Sequence, residues 1–351
     1  MEKLSHQVFF SENIKEDLRL WRNKYLGKKV FVITDYNTQK YCLPKLSEAL
    51  EPFYHYSISA GEVYKNINTA IDLWRFLSKN LADRESIVVN LGGGVVSDLG
   101  GFVASTFKRG VKFINVPTTL LAQVDAAIGG KTGINLDYLK NEVGTFAKPE
   151  AVFIAPEFLE TLPERDFIAG YAEIVKYALI SSPEMWEEVK RSMTIEMNMK
   201  NLSQIIRKSV EIKLKIVEKD PYERDLRKIL NFGHTFGHAF ETFFKLKGID
   251  ILHGEAVAMG IICEIYLSNQ RFVFDFQRVF EISEVISKFF PTYRIQYKDY
   301  DEIYEIMLHD KKNSSGEIHF TLLKDIGDVA INQVVEKSDI YEALNFYSQI
   351  R

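Results

Sequence analysis

Ser86 to Asp98 reads SIVVNLGGGVVSD, and how this stretch folds decides the architecture around it. Ser86 to Leu91 is apolar and β-branched almost throughout, the pattern of a strand buried on both faces. Gly92-Gly93-Gly94 interrupts the run, and an apolar helix is expected from Val95 to Phe107. Strand, glycine turn and helix in that order let backbone N–H groups approach an anion at the helix N-terminus. The strict G-x-G-x-x-G spacing is not met, because Ser97 stands at the third glycine position.

Upstream, Lys29 to Asp35, KVFVITD, predicts another buried strand, and helices are expected over Gln39 to Leu50 and Ile67 to Asn80. Downstream, Lys112 to Val116 and Ala151 to Ile154 add two strands. Strands alternating with helices predict a Rossmann-like parallel α/β sheet. After Pro156 the texture changes. Helices are expected over Glu164 to Ile180, Leu202 to Glu218 and Asp275 to Phe289, with short strands only at Ile318 to Leu323 and Val329 to Ile331. The expected division is an α/β domain over 1–155 and a mostly α-helical domain over 156–351.

Composition narrows the function classes. The net charge of −4 gives no support to nucleic-acid binding through a basic surface. Two cysteines, Cys42 and Cys263, offer no disulfide framework. The first residues, MEKLSHQVFF, lack an apolar core of signal-peptide length, and no uncharged apolar run approaches the ~20 residues of a membrane span. The expectation is a cytoplasmic protein with no nucleic-acid or membrane partner.

Three stretches carry chemistry. Val116 to Asn135, VPTTLLAQVDAAIGGKTGIN, places Thr118 and Thr119 just past a strand, where ligands bind in open α/β sheets. Its Gly129-Gly130-Lys131-Thr132-Gly133 lacks the upstream glycine of an ATP-binding loop, but a lysine among glycines suits an anionic substrate. Arg109, Lys140 and Asn141 add donors nearby in sequence. Leu230 to His238, LNFGHTFGH, puts His234 and His238 four residues apart, on one face of a helix. His253 follows at the head of the apolar run Ala256 to Leu267. Finally Glu173 lies among Ala172, Ile174 and Val175, where a charge is costly unless paired or coordinating. One carboxylate with two imidazoles makes the three-ligand open site of catalytic zinc. On these residues alone His234 and His238 compete for the role, Glu255 is a further candidate carboxylate, and Glu173 could instead pair with Lys176.

Five blocks taken together are specific. GGGVVSDLGGF, RGVKFINVPTTLLAQVDAAIGGKTGIN, TLPERDFIAGYAEIVKYALI, LNFGHTFGHAFE and LHGEAVAMG occur in order and closely resemble 3-dehydroquinate synthase, one of the sugar-phosphate cyclases. The resemblance implies an NAD-binding α/β domain, a helical domain, a site in the cleft and a homodimer. It implies a small sugar-phosphate substrate, 3-deoxy-D-arabino-heptulosonate 7-phosphate, converted to 3-dehydroquinate and phosphate in the shikimate route. It assigns zinc, or cobalt in its place, to Glu173, His234 and His253. NAD contacts fall to Asp35, Glu62, Lys65, Gly94, Val95, Val96, Ser97, Asp98, Thr118, Thr119, Lys131, Lys140, Phe158, Leu159, Glu160 and Thr161. Substrate and catalytic roles fall to Arg109, Asp125, Lys131, Asn141, Lys176, Lys213, Arg227, Asn231 and His238, with Lys311-Lys312 matching a further family segment. Two positions depart from the family pattern: Ser97 stands where glycine is common, and Glu142 where an apolar residue is common. Related cyclases acting on sedoheptulose 7-phosphate or glucose 6-phosphate are the nearest rivals, but DAAIGGKTGIN and KNEVGTF look like the dehydroquinate branch. A metal-dependent alcohol dehydrogenase of related fold and a binding protein without activity are the more distant readings.

Overall fold

The computed structural model describes residues 1–5, 7–137, 139–194, 199–309 and 317–350, so Lys311 and Lys312 lie outside the described residues. Two compact units divide the chain, Met1–Pro163 and Glu164–Arg351.

The first unit opens with β1 (Glu2–Lys3), β2 (Val8–Phe10), α1 (Ile14–Asn23), β3 (Val30–Asp35), α2 (Tyr36–Tyr41), α3 (Leu43–Leu50) and β4 (Tyr54–Ile58). It continues through α4 (Ile67–Lys79), β5 (Ile87–Gly92), α5 (Gly94–Thr106), β6 (Lys112–Pro117), β7 (Lys131–Leu136), β8 (Leu139–Phe146) and β9 (Ala151–Ile154). Seven strands form one sheet in the order β1-β2-β9-β6-β5-β3-β4. Every neighbouring pair is parallel except β1 with β2. The parallel α/β core expected from strand–helix alternation is therefore present.

Its two faces are both buried. On β3, Val30 and Val32 join a core with Leu18 and Trp21 of α1 and Leu46 and Leu50 of α3. Phe31 and Ile33 point the other way, toward Ala70, Leu73 and Leu77 of α4 and Val96 and Leu99 of α5. This two-sided burial is why the strands read as continuous apolar runs. The helix expected over Gln39 to Leu50 is instead two helices meeting at Cys42. Pro44, at the start of the second, has no N–H to continue the first. β4, sequence YHYSI, went unforeseen because an edge strand half open to water mixes polar with aromatic residues.

The connections place a ligand site. From β3 the chain passes to β4 on one side, then returns across β3 to β5 on the other. Strand order reverses there, so a crevice is expected outside the carboxyl ends of β3 and β5. Asp35 ends β3 and Gly92 ends β5.

The second unit is mostly helical: α6 (Glu164–Ser181), α7 (Pro183–Thr194), α8 (Met199–Lys219), α9 (His234–Leu246), α10 (His253–Phe272), α11 (Phe276–Phe289), α12 (Tyr300–Leu308) and α13 (Lys337–Gln349). One antiparallel pair, β10 (Phe320–Asp325) with β11 (Asp328–Gln333), accompanies them. α10 is the hub, packing against α6, α9, α11 and α13. Among the described residues no helix is long and apolar enough to cross a membrane.

Candidate functional site

Three helices of the second unit bring the metal-type donors together. Glu173 lies in the middle of α6, His234 opens α9 and His253 opens α10. Glu173 is fully buried. Its Oε1 lies 3.3 Å from His234 Nε2 and 3.9 Å from His253 Nε2. One donor atom from each of the three residues falls within 4.8 Å of the others. The outer nitrogens are already committed. His234 Nδ1 lies 3.1 Å from the carbonyl oxygen of Phe232, and His253 Nδ1 lies 3.1 Å from Glu241 Oε2. A proton on each Nδ1 leaves the lone pair on Nε2, facing Glu173. One carboxylate oxygen and two imidazole nitrogens, oriented from behind, fit a zinc- or cobalt-type ion.

This geometry separates alternatives that spacing could not. His238 is beside the group, its ring centroid 5.5 Å from that of His234 and 6.0 Å from that of His253, but the donor cluster is Glu173, His234 and His253. Glu255 is engaged elsewhere. Arg165 grips both its oxygens, Nε at 2.7 Å and Nη2 at 2.9 Å, while Leu252 N and Tyr293 Oη donate at 2.8 and 2.7 Å. Burial would raise the Glu255 carboxyl, but these donors draw it below its ordinary value. Glu173 also forms the ion pair with Lys176, through Oε2, so pairing and an inward-facing Oε1 coexist.

The helix starts are held by buried groups that sequence reasoning missed. Glu264 of α10 is fully buried and accepts from Gly233 N at 2.6 Å, Thr235 N at 3.0 Å and Phe236 N at 3.4 Å. These are amides a helix start leaves unpaired, and a carboxylate suits that end of the helix dipole. An acidic residue inside the apolar run of α10 was the available signal. α9 and α10 cross closely: a Cβ on Gly260 would fall 2.0 Å from Gly233 O and 2.7 Å from Gly237 N.

Lys176, Lys213 and Arg227 are all buried in this unit. The 3-10 turn Leu226–Asn231, carrying Arg227 and Asn231, packs against α6 and α8. Arg227 Nη1 donates to Pro221 O at 2.7 Å. Asn231 Nδ2 donates at 2.9 Å to Glu223, a carboxylate not singled out from sequence and held at positive φ.

In the first unit the glycine turn is built by close approach. β5 and β6 run level, Gly92 opposite Pro117, and Thr118 N donates to Gly92 O at 3.0 Å. A Cβ on Gly93 would lie 2.9 Å from Thr119 Cγ2. Among the described residues, Ser97 Oγ and Thr118 Oγ1 are buried and meet no hydrogen-bond partner. Such hydroxyls beside the start of α5 fit a ligand with polar oxygens. Asp98 and Lys65 pair at 2.9 Å, and Glu62 Oε1 lies 3.4 Å from the same ammonium. Burial would lower the Lys65 amine, but the two carboxylates outweigh it and hold it above its usual value. Asn135, also missed, ties this group together: it donates to Glu62 Oε1 at 2.9 Å and accepts from Asn141 N at 2.9 Å.

Other expected residues spread more widely. Asp35 caps α2, accepting from Thr38 N at 2.8 Å. Lys131, Lys140 and Asn141 lie on the antiparallel pair β7–β8 that covers α5, not in a phosphate loop. Asp125 falls in a π-helical turn, Ala122–Ala126. In the 3-10 turn Pro156–Thr161, Phe158 and Leu159 are buried, while Glu160 and Thr161 are exposed. Val95 is half-buried and Val96 belongs to the core. Arg109 follows the C-terminus of α5, whose 13 residues span about 20 Å, so it lies at the other end of that helix from the glycine turn.

Comparison with known proteins agrees with this picture. Residues 55–169 match the family described as 3-dehydroquinate synthase N-terminal, and residues 170–313 match 3-dehydroquinate synthase C-terminal. A 3-dehydroquinate synthase of Parabacteroides distasonis is 45% identical over 98% of both chains. One of Campylobacter concisus is 40% identical over 91% of this chain and 92% of its own. Among solved structures, 2-deoxy-scyllo-inosose synthase complexed with carbaglucose-6-phosphate, NAD+ and Co2+ superimposes with a TM-score of 0.84 at 27% identity, covering 96% of this chain and 95% of that one.

Proposed function

Since the chain belongs to the 3-dehydroquinate synthase family, we propose that it is an NAD- and divalent-metal-dependent lyase. It converts 3-deoxy-D-arabino-heptulosonate 7-phosphate to 3-dehydroquinate and inorganic phosphate. The observation that carries this reading is the group of three donors within 4.8 Å, formed by Glu173, His234 and His253. The NAD+ and Co2+ in the 27% identical cyclase support the cofactor assignment. When bound, the ion would act as a Lewis acid toward the substrate hydroxyls, and NAD would accept a hydride and later return it.

The chain's own residues then have these parts. Glu173 would supply one negative charge and His234 and His253 two neutral imidazoles, so a divalent ion held by them would keep a net positive charge. His238, beside the ligands, takes the proton from the hydroxyl to be oxidised and returns it. Lys176, Lys213, Arg227 and Asn231 offer donors to carboxylate and phosphate oxygens. Arg109, Lys131, Asp125 and Asn141 are assigned to the substrate as well. The NAD set is Asp35, Glu62, Lys65, Gly94 to Asp98, Thr118, Thr119, Lys131, Lys140 and Phe158 to Thr161. With the neighbouring carbonyl formed, a C–H proton is lost and the C–O bond to phosphate breaks. Reduction, ring opening and an intramolecular aldol closure follow, so the sum is redox-neutral.

We place the protein in the cytoplasm as a homodimer, a reading supported by its cysteine usage and by the exposed Leu136, Leu139, Val143 and Phe146 on the β7–β8 pair. Metal analysis combined with a phosphate-release assay tests the proposal. Phosphate release from the heptulosonate without NADH build-up is expected. Cyclisation of sedoheptulose 7-phosphate alone would assign another cyclase, and stoichiometric NADH would assign a dehydrogenase.

A further inference from the structure

Glu241 takes no part in the chemistry above, yet its side chain is only 5% exposed and is bonded on both oxygens. Oε2 lies 3.1 Å from His253 Nδ1, and Oε1 lies 2.6 Å from the ammonium of Lys245, one turn further along α9. Resting on the assignment of Glu173, His234 and His253 as metal ligands, we propose that Lys245, Glu241 and His253 form a tuned support that sets how tightly the site holds its divalent ion.

The two imidazoles differ in what stands behind them. His234 Nδ1 meets a neutral backbone carbonyl; His253 Nδ1 meets a carboxylate. A charged acceptor pulls harder on the Nδ1 proton and makes Nε2 the stronger donor to a metal. His253 is also the more exposed ring, 28% against 11% for His234, so it has more need of a fixed orientation. Lys245 opposes this effect. Its ammonium shares the charge of Glu241 and weakens the pull on His253. Glu241 is therefore a positioning residue, and Lys245 adjusts how strongly it acts.

Opposite signs separate this role from simple packing. The full chain, stripped of metal, is titrated with Co2+ and followed by its visible absorption, with Zn2+ measured by competition. Glu241→Gln keeps size and shape but removes the charge, and Co2+ affinity should fall by about 10- to 100-fold. Lys245→Met removes an exposed cation, and affinity should rise by about two- to fivefold. A purely structural ion pair would instead give weaker binding, or no change, in both variants. Wild-type affinity in Glu241→Gln, or unchanged or weaker binding in Lys245→Met, would overturn the proposal. If Glu241→Gln does not fold, the sign of the Lys245→Met change decides alone. Failure of the wild-type chain to take up Co2+ would sink the ligand assignment itself, whereas normal uptake with no response to either change would sink only the support role.

Discussion

In the second unit, the donors of the metal cluster sit at the starts of α9 and α10 and in the middle of α6. In the first unit, the polar groups come from strand ends, a 3-10 turn at Glu62–Tyr64 and an antiparallel strand pair. The helical cluster is held in place from behind by Glu264, Glu241 and Phe232. The glycine turn keeps two buried hydroxyls, Ser97 and Thr118, without partners among the described residues. One region gathers its donors from its own side chains at a spacing that suits an ion; the other leaves hydrogen-bonding capacity for a larger molecule. That contrast suits a tightly held ion and a cofactor that must be reached by many weak contacts.

Breaking the first region should have the largest effect. Glu173→Gln removes the only carboxylate donor of the cluster, and turnover should fall by about 10⁴-fold or more, with metal content falling in parallel. Normal metal content in that variant would dissolve the contrast. In the first unit, Lys65→Met should act on stability, because it leaves Asp98 and Glu62 without their shared cation; the cost is about 3–5 kcal/mol by urea unfolding. The pH response gives the sign. Lys65 is raised above its ordinary value of 10.5, so its contribution is complete below pH 10.5 and is lost as pH climbs through the raised value. Wild-type stability should drop in that alkaline range, and Lys65→Met should lack that component of the drop.

His238→Ala should slow turnover by about 10²-fold or more while metal content stays at the wild-type level. Loss of the ion instead would move His238 into the ligand set. The smallest effect is expected at Ser97→Ala. Removing a buried hydroxyl that has no partner among the described residues should leave the cofactor-free protein as stable or more stable by up to about 1 kcal/mol. NAD affinity, read by fluorescence titration, should weaken. Lower stability together with unchanged affinity would mean that the Ser97 hydroxyl serves the fold and not the cofactor.

The sequence displayed these regions unequally, for a physical reason. His234 and His238 announced themselves by helical spacing, and Glu173 by a charge in apolar surroundings. Buried parallel strands such as Ile87–Gly92 were legible because both faces are apolar. Choosing His234 over His238 needed the direction of α9 relative to α6 and α10, which spacing within one helix does not contain. Asn135 was illegible because its partners, Glu62 and Asn141, lie on other segments.

The hold of Glu264 on the first amides of α9 has a kinetic consequence. Those bonds are made between protein groups alone, with no ligand atom of the metal cluster among them, so losing the ion does not require the helix start to unwind. Chelation followed by resupply should restore the loaded protein as quickly as a hydrated cation can shed its water, with no slow refolding phase between the two states.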